Sequence, residues 1–182
     1  MSGIAKEQRF QALIMPHLDS AFNLARWLTR SQQDAEDLVQ ESYLRAFKFF
    51  DSFHGEDGRA WLLRIVRNTF YTWHQQHKTQ AENSLHEAAL HNLGIENTDT
   101  GQYVNQPEDM LIQADNQRLI QRALEELSVE YREVIVMREL EELSYKQIAE
   151  IMNIPICTVM SRLGRGRKQL AAIIAATNRD AE

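Results

Sequence analysis

Cysteine is almost missing: Cys157 is the only one among 182 residues. A lone thiol excludes an internal disulfide framework and any cysteine-based zinc finger. Proline occurs 3 times and glycine 7 times, too few for the turns of a β-sandwich or barrel, so a helical chain is favoured. No apolar run approaches the roughly 18–20 residues of a membrane span. The opening MSGIAKEQRF has no secretory apolar segment, and a soluble, cytoplasmic protein is expected. Apolar residues are plentiful at 43%, enough for a buried core and too many for a disordered chain.

The formal charge is −6, and its distribution says more than its sum. Residues 81–114 contain no Lys or Arg, whereas residues 153–182 are net basic. An acidic total argues against tight non-specific DNA binding by the free chain, because that affinity comes from neutralising phosphates. The basic end still permits local DNA contact. Solvated surface faces explain the same charge runs equally well.

Residues 81–114 also carry Gly94, Gly101, Pro107 and many Asn, Asp and Thr. Breakers of this kind mark a linker between two helical blocks, 1–80 and 115–182. Leu85, Leu90 and Leu93 allow a short helix inside it. The first block opens with an expected helix from about Lys6 to Thr29. Ser31 and Asp34 form a start signal close to a capping box. Leu38, Val39, Tyr43, Ala46, Phe47 and Phe50 then repeat as one buried stripe, leaving Asp37, Gln40, Glu41, Arg45 and Lys48 on the other face. After the FHGEDG turn, Trp61, Leu62, Ile65, Val66, Thr69, Phe70 and Trp73 continue that spacing. Their opposite side reads Arg64, Arg67, Asn68, Tyr71, Gln75 and Lys78. Cations for phosphate and rings for unstacked bases suit a nucleic-acid surface; an ordinary solvated face backed by core aromatics fits too.

The second block is more specific. Helices are expected from Asp115 to Leu127 and from Val129 to Glu139, with Ser128 as N-cap. In LSYKQIAEIMNIPICTVMSRLGRGRKQL, Ser144 caps a short helix with Ile148, Ala149 and Met152 inward. Asn153 supplies a left-handed turn residue, and Pro155 suits the first turn of the next helix. Val159 and Leu163 pack that helix, leaving Thr158, Ser161, Arg162 and Arg165 outward. This is a helix-turn-helix pattern, its second helix suited to the major groove. A plain helical hairpin with a basic end is the bland alternative.

Three segments, DAEDLVQESYLRAF (34–47), AWLLRIVRNTF (60–70) and residues 143–170, together resemble the extracytoplasmic-function (ECF) sigma factors, small two-domain subunits of bacterial RNA polymerase. The resemblance covers nearly the whole chain. It implies an all-α protein of two small helical domains joined by a flexible acidic linker, the C-terminal one a helix-turn-helix. It also implies core RNA polymerase and promoter DNA as partners, with an anti-sigma factor as regulator. By the same resemblance Asp37, Gln40, Glu41 and Arg45 bind polymerase. Arg59, Arg64, Arg67, Asn68, Tyr71 and Trp73 recognise and melt the −10 element, Asn68 and its neighbours lying closest to a flipped-out base. Thr158, Ser161, Arg162, Arg165 and Arg167 face the −35 duplex, and the acidic linker threads a basic channel of the polymerase. The chain departs from the family at Cys157, where glycine is usual, and at Met160, where Lys or Arg is common. Gly164 and Gly166 fall inside the reading helix.

No catalytic constellation accompanies these features. His74 and His77 stand three apart, with His86 and His91 following, yet no carboxylate or thiol cluster completes a metal set. No Walker, dinucleotide or nucleophile-elbow pattern occurs, so neither a cofactor nor an independent enzymatic activity is expected. A lone Cys157 reads as a small packing residue before a redox sensor. Against the sigma-factor reading stand a dimeric helix-turn-helix regulator and, less well supported, an enzyme whose helix-turn-helix is incidental.

Overall fold

A computed structural model describes residues 3–55, 57–84 and 108–180. Their regular structure is helical throughout: α1 Gly3–Leu13, α2 Leu18–Thr29, α3 Gln32–Phe49, α4 Gly58–Ser84, α5 Glu108–Glu126, α6 Val129–Ile135, α7 Tyr145–Met152 and α8 Ile156–Asp180. The all-α expectation holds.

The continuous helix expected over Lys6–Thr29 is interrupted. Met15–His17 forms a 3-10 turn with Pro16 in its first positions, because proline lacks the N–H that would continue the α-helical ladder. The Ile14 carbonyl accepts instead from the His17 N–H at 3.1 Å and from the Tyr43 hydroxyl at 3.3 Å. Helix α2 ends at Arg30, whose φ of 60° is the left-handed C-cap conformation. Ser31 then starts α3, its Oγ accepting from the Asp34 N–H at 3.3 Å.

Helices α2, α3 and α4 pack pairwise around Leu24, Leu28, Leu38, Leu62, Leu63 and Val66, and α1 lays Phe10 over one end. Phe10 meets the rings of Tyr43, Phe47 and Phe50 edge-on. Phe47, expected in the buried stripe, is 42% exposed. One edge meets Phe10 while Lys6 Nζ lies 5.2 Å from its centroid.

Asp57 starts α4: its carbonyl accepts from the Trp61 N–H and its carboxylate from the Ala60 N–H at 2.9 Å, an N-cap arrangement. Gly58 permits a close crossing, since a Cβ there would lie 2.4 Å from the Leu13 carbonyl oxygen. Helix α4 runs on to Ser84 and α5 starts at Glu108, so both ends of the expected linker are helical. Residues 85–107, including the short helix expected there, lie outside the described residues.

In the second lobe α5, α6 and α7 pack on α8. Ser128 makes no side-chain cap; its carbonyl accepts from the Tyr131 and Arg132 N–H groups. The helix expected to Glu139 is α-helical only to Ile135 and continues as a π-turn over Val136–Leu140. Arg30 and Arg132 both donate to the Leu127 carbonyl near the C-terminus of α5, where cations suit the helix dipole. Burial and the neighbouring Arg30 push the Arg132 guanidinium down to about 10. The two lobes touch, α2 against α6 and α4 against α7, and their buried apolar residues form one connected core.

Candidate polymerase and promoter-DNA surfaces

Because Ala35, Leu38, Val39, Ser42 and Ala46 turn inward, α3 presents the other side to solvent. Asp37 and Gln40 are exposed there, and Glu41 pairs with Arg45 at 2.7 Å, one helical turn apart. Leu44 and Phe49, 64% and 55% exposed, share a shallow depression with Glu41, Arg45 and Lys48. Sequence reasoning missed these two. Their signal was apolar residues lying off the buried stripe, and exposed side chains of this size suit a protein contact.

On α4 the six candidates divide. Arg64 is exposed and lines an open cleft of about 560 Å³ walled by Phe53, His54, Trp61 and Glu150, and Asn68, one turn further along α4, is exposed as well. Trp73 instead packs against the apolar core, on the same side as Leu62, Val66 and Thr69. It stays half-exposed there. His74 is exposed and stacks on Phe70.

Arg59, Arg67 and Tyr71 meet acidic residues of the second lobe. Arg59 donates to Ser20 Oγ at 3.1 Å and pairs with the Glu141 carboxylate, which also accepts from Asn23 Nδ2 at 2.5 Å. Arg67 sets its guanidinium fork on both oxygens of Glu133, at 2.9 and 3.1 Å, and lies 4.6 Å from the Tyr71 ring centroid. Glu133 is 1% exposed. Burial pushes its carboxyl up, opposed by Arg67, by the Tyr71 hydroxyl and by Arg162. Burial and the adjacent Glu133 charge push Tyr71 up to about 12. Asp57 joins the junction, accepting from Gln147 Nε2 at 2.7 Å. Burial alone would raise its carboxyl, but the Ala60 N–H and Gln147 amide hold it below the usual range.

The helix-turn-helix follows its sequence closely. Ser144 and Gln147 form a reciprocal capping box at the start of α7. Asn153 adopts φ 54°, ψ 48°, the left-handed turn. Pro155 stands just before α8, its carbonyl accepting from the Thr158 and Val159 N–H groups. Val159 and Leu163 are buried. Gly166 lies on the same inner side, where a Cβ would come within 2.9 Å of Ile135 Cδ1. Outward, Ser161 and Arg165 are exposed and Thr158 half-buried. Arg162 leans on Glu130 at 3.5 Å and Glu133 at 3.9 Å. Arg167 is turned away to Glu139 at 2.5 Å. Cys157, expected to pack, is exposed. Among the described residues no His, Cys, Asp or Glu gather in threes at a metal-sized site.

Comparison with known proteins matches this two-part layout. Residues 13–80 match Sigma-70 region 2 and residues 117–170 match Sigma-70, region 4. The ECF RNA polymerase sigma-E factor of Haemophilus influenzae is 37% identical over 155 residues, spanning 81% of this chain and 79% of the relative. The chain belongs to the ECF sigma factors. That of Escherichia coli K12, also named sigma-E, is 32% identical over 141 residues, 75% of this chain and 72% of its own. Among solved structures, the sigma factor RpoE of Bartonella quintana, in complex with the anti-sigma factor NepR, superposes with a TM-score of 0.71 at 26% identity, covering 92% and 98% of the two chains. CnrH, in complex with the cytosolic domain of CnrY, shares the fold with a TM-score of 0.60 at 22% identity, covering 93% and 90%. Membership sets aside the dimeric-regulator alternative: this sigma factor is a transcription initiation factor. Among its described residues no helix is long and apolar enough to cross a membrane.

Proposed function

We propose that this sigma factor divides promoter recognition between its lobes while core RNA polymerase supplies the catalysis, in the cytoplasm. The first lobe, within residues 1–80, docks on core polymerase through α3: Asp37, Gln40, Glu41 and Arg45 supply the polar contacts, Leu44 and Phe49 the apolar ones. Its α4 and the preceding loop recognise and open the −10 element. Arg64 lines the aromatic-walled cleft, with Asn68 exposed one turn further along α4, and the cleft has the room and the rings to hold an unstacked base. The second lobe, within residues 115–182, reads the −35 duplex with Thr158, Ser161, Arg162 and Arg165 of α8. Arg167 serves the family role only if it leaves Glu139.

The observation that supports this reading is that one chain carries two different surfaces suited to nucleic acid. One is a cleft bordered by rings and a cation; the other is a helix-turn-helix with an exposed reading helix. Arg59 and Arg67 meet Glu141 and Glu133 where the lobes touch, so DNA reaches them by exchanging those carboxylates for phosphates as the lobes part, whereas Arg162 exchanges Glu130 and Glu133 within its own lobe. Support for an inhibitory partner comes from the 26%-identical RpoE, solved with an anti-sigma factor; we extend to this chain a protein that covers the polymerase-binding face.

Purified core polymerase supplies the test. Adding the chain produces initiation from a defined promoter, and core alone does not. No promoter-dependent initiation, with the chain by itself footprinting a palindromic duplex, contradicts the proposal.

A further inference from the structure

The first two turns of α8 present an uncharged surface to solvent. Ile156 and Met160 are 45% and 55% exposed, and Cys157 and Ser161 beside them are exposed too. Spacings of one, four and five residues place them on one side of the helix. Gly164 extends that side by another turn, with nothing within 4 Å of where its Cβ would stand. Charge returns on this side only one turn past Gly164, at the exposed Lys168. Arg162 leans to Glu130 and Glu133, Arg167 is held by Glu139, and Arg165 is exposed at its border. Ser161 turns its hydroxyl back to the Thr158 carbonyl at 3.0 Å.

Packing does not explain large apolar side chains here, since Val159 and Leu163, 0% and 1% exposed, already fill the inner face. In a helix-turn-helix the N-terminal part of the second helix meets base edges in the major groove. Arg and Lys match guanine there and amides match adenine, whereas apolar side chains match the 5-methyl group of thymine. The surface continues directly into Arg165 and Ser161 of the duplex-facing side, which makes promoter duplex its occupant.

We propose that Met160, flanked by Ile156, is a specificity-determining residue of the upstream contact and reads thymine methyl groups, while Gly164 lets the duplex come close to the helix. This rests on the assignment of α8 as the −35 reader.

The test uses holoenzyme reconstituted from core polymerase and the full chain. Duplexes are selected from a library randomised over the upstream promoter region. The selected duplex is then resynthesised with deoxyuridine replacing each thymidine, which removes only the methyl. Affinity falls about fourfold at each of one or two positions, equivalent to about 0.8 kcal/mol for one buried methyl-sized group. Met160→Ala, at an exposed position, binds thymine and uracil duplexes alike at those positions. Arg165→Ala weakens both duplexes equally. Retained upstream preference with equal wild-type affinity for the two duplexes overturns this inference alone, as does uracil sensitivity that survives Met160→Ala. A variant that loses polymerase binding but keeps its discrimination assigns the patch to a protein partner and overturns it too. A selection with no upstream preference overturns the −35 assignment together with the inference.

Discussion

Two glycines in one helix, two residues apart, have opposite reasons to be there. A Cβ on Gly166 would press on Ile135 Cδ1 at 2.9 Å and on Tyr131 Cβ at 3.3 Å, whereas one on Gly164 would meet open space. Gly166→Ala gains the same helix propensity as a change at Gly164 but overpacks against Ile135 and Tyr131, and the expected net is a destabilisation of the second lobe by about 1 kcal/mol. Gly164→Ala is expected to stabilise it by up to about 1 kcal/mol through helix propensity. Urea midpoints of the two variants check the pair of signs. Asp57 gives a pH-dependent case. Its carboxyl is held below the usual range by the Ala60 N–H and the Gln147 amide, so the folded state favours the ionised form. That stability is present above the ordinary carboxylate pKa and is lost as pH falls through the lowered folded value. Asp57→Ala is expected to cost about 1 kcal/mol at neutral pH, and its unfolding curve to approach that of the wild type in acid.

At the scale of elements, α3 shows what periodicity reveals and what it conceals. Ser31 as cap and Leu38, Val39 and Ala46 as inward residues were legible, because capping and a 3.6-residue repeat are local properties. The exposure of Phe47 was not, because it depends on how far Phe10 and Lys6 of α1 cover α3. Pro16 was a local signal passed over, and it ends the first helix. The helix-turn-helix was read almost residue by residue: the Ser144 cap, the left-handed Asn153 and the inward Val159 and Leu163 are all short-range choices. Arg167 and Trp73 show the limit, since a distant Glu139 redirects one and the core takes the other. The exposed α3 pair supplies its own prediction. Leu44→Asp weakens the complex with core polymerase by at least tenfold in a fluorescence titration while leaving the melting temperature unchanged, because Leu44 is 64% exposed.

At the scale of the molecule, the carboxylates of α6 and the turn that follows it find a use that no single helix displays. Glu133 and Glu141 occupy Arg67 and Arg59, while Arg162 of the second lobe itself shares Glu133. Deleting one partner of a buried ion pair leaves an uncompensated charge and typically costs about 3–5 kcal/mol. Arg67→Ala is expected near the lower end, because Tyr71 and Arg162 still face Glu133. It loosens the packing of the lobes, seen as a longer distance between fluorophores placed one on each. Arg67→Ala with Glu133→Gln brings that distance back towards the wild-type value, since the stranded charge is gone. An unchanged distance in the single variant would show that these pairs do not hold the lobes together.

The division of labour itself is tested most directly by transcription from two templates that differ only at −10, one fully duplex and one with that segment already unpaired by mismatches. With core polymerase and the Arg64→Ala/Asn68→Ala double variant, initiation is expected to drop at least tenfold on the duplex template. On the pre-opened template it returns close to the wild-type level. Equal loss on both templates, or no loss on either, would contradict a role for α4 in separating the strands.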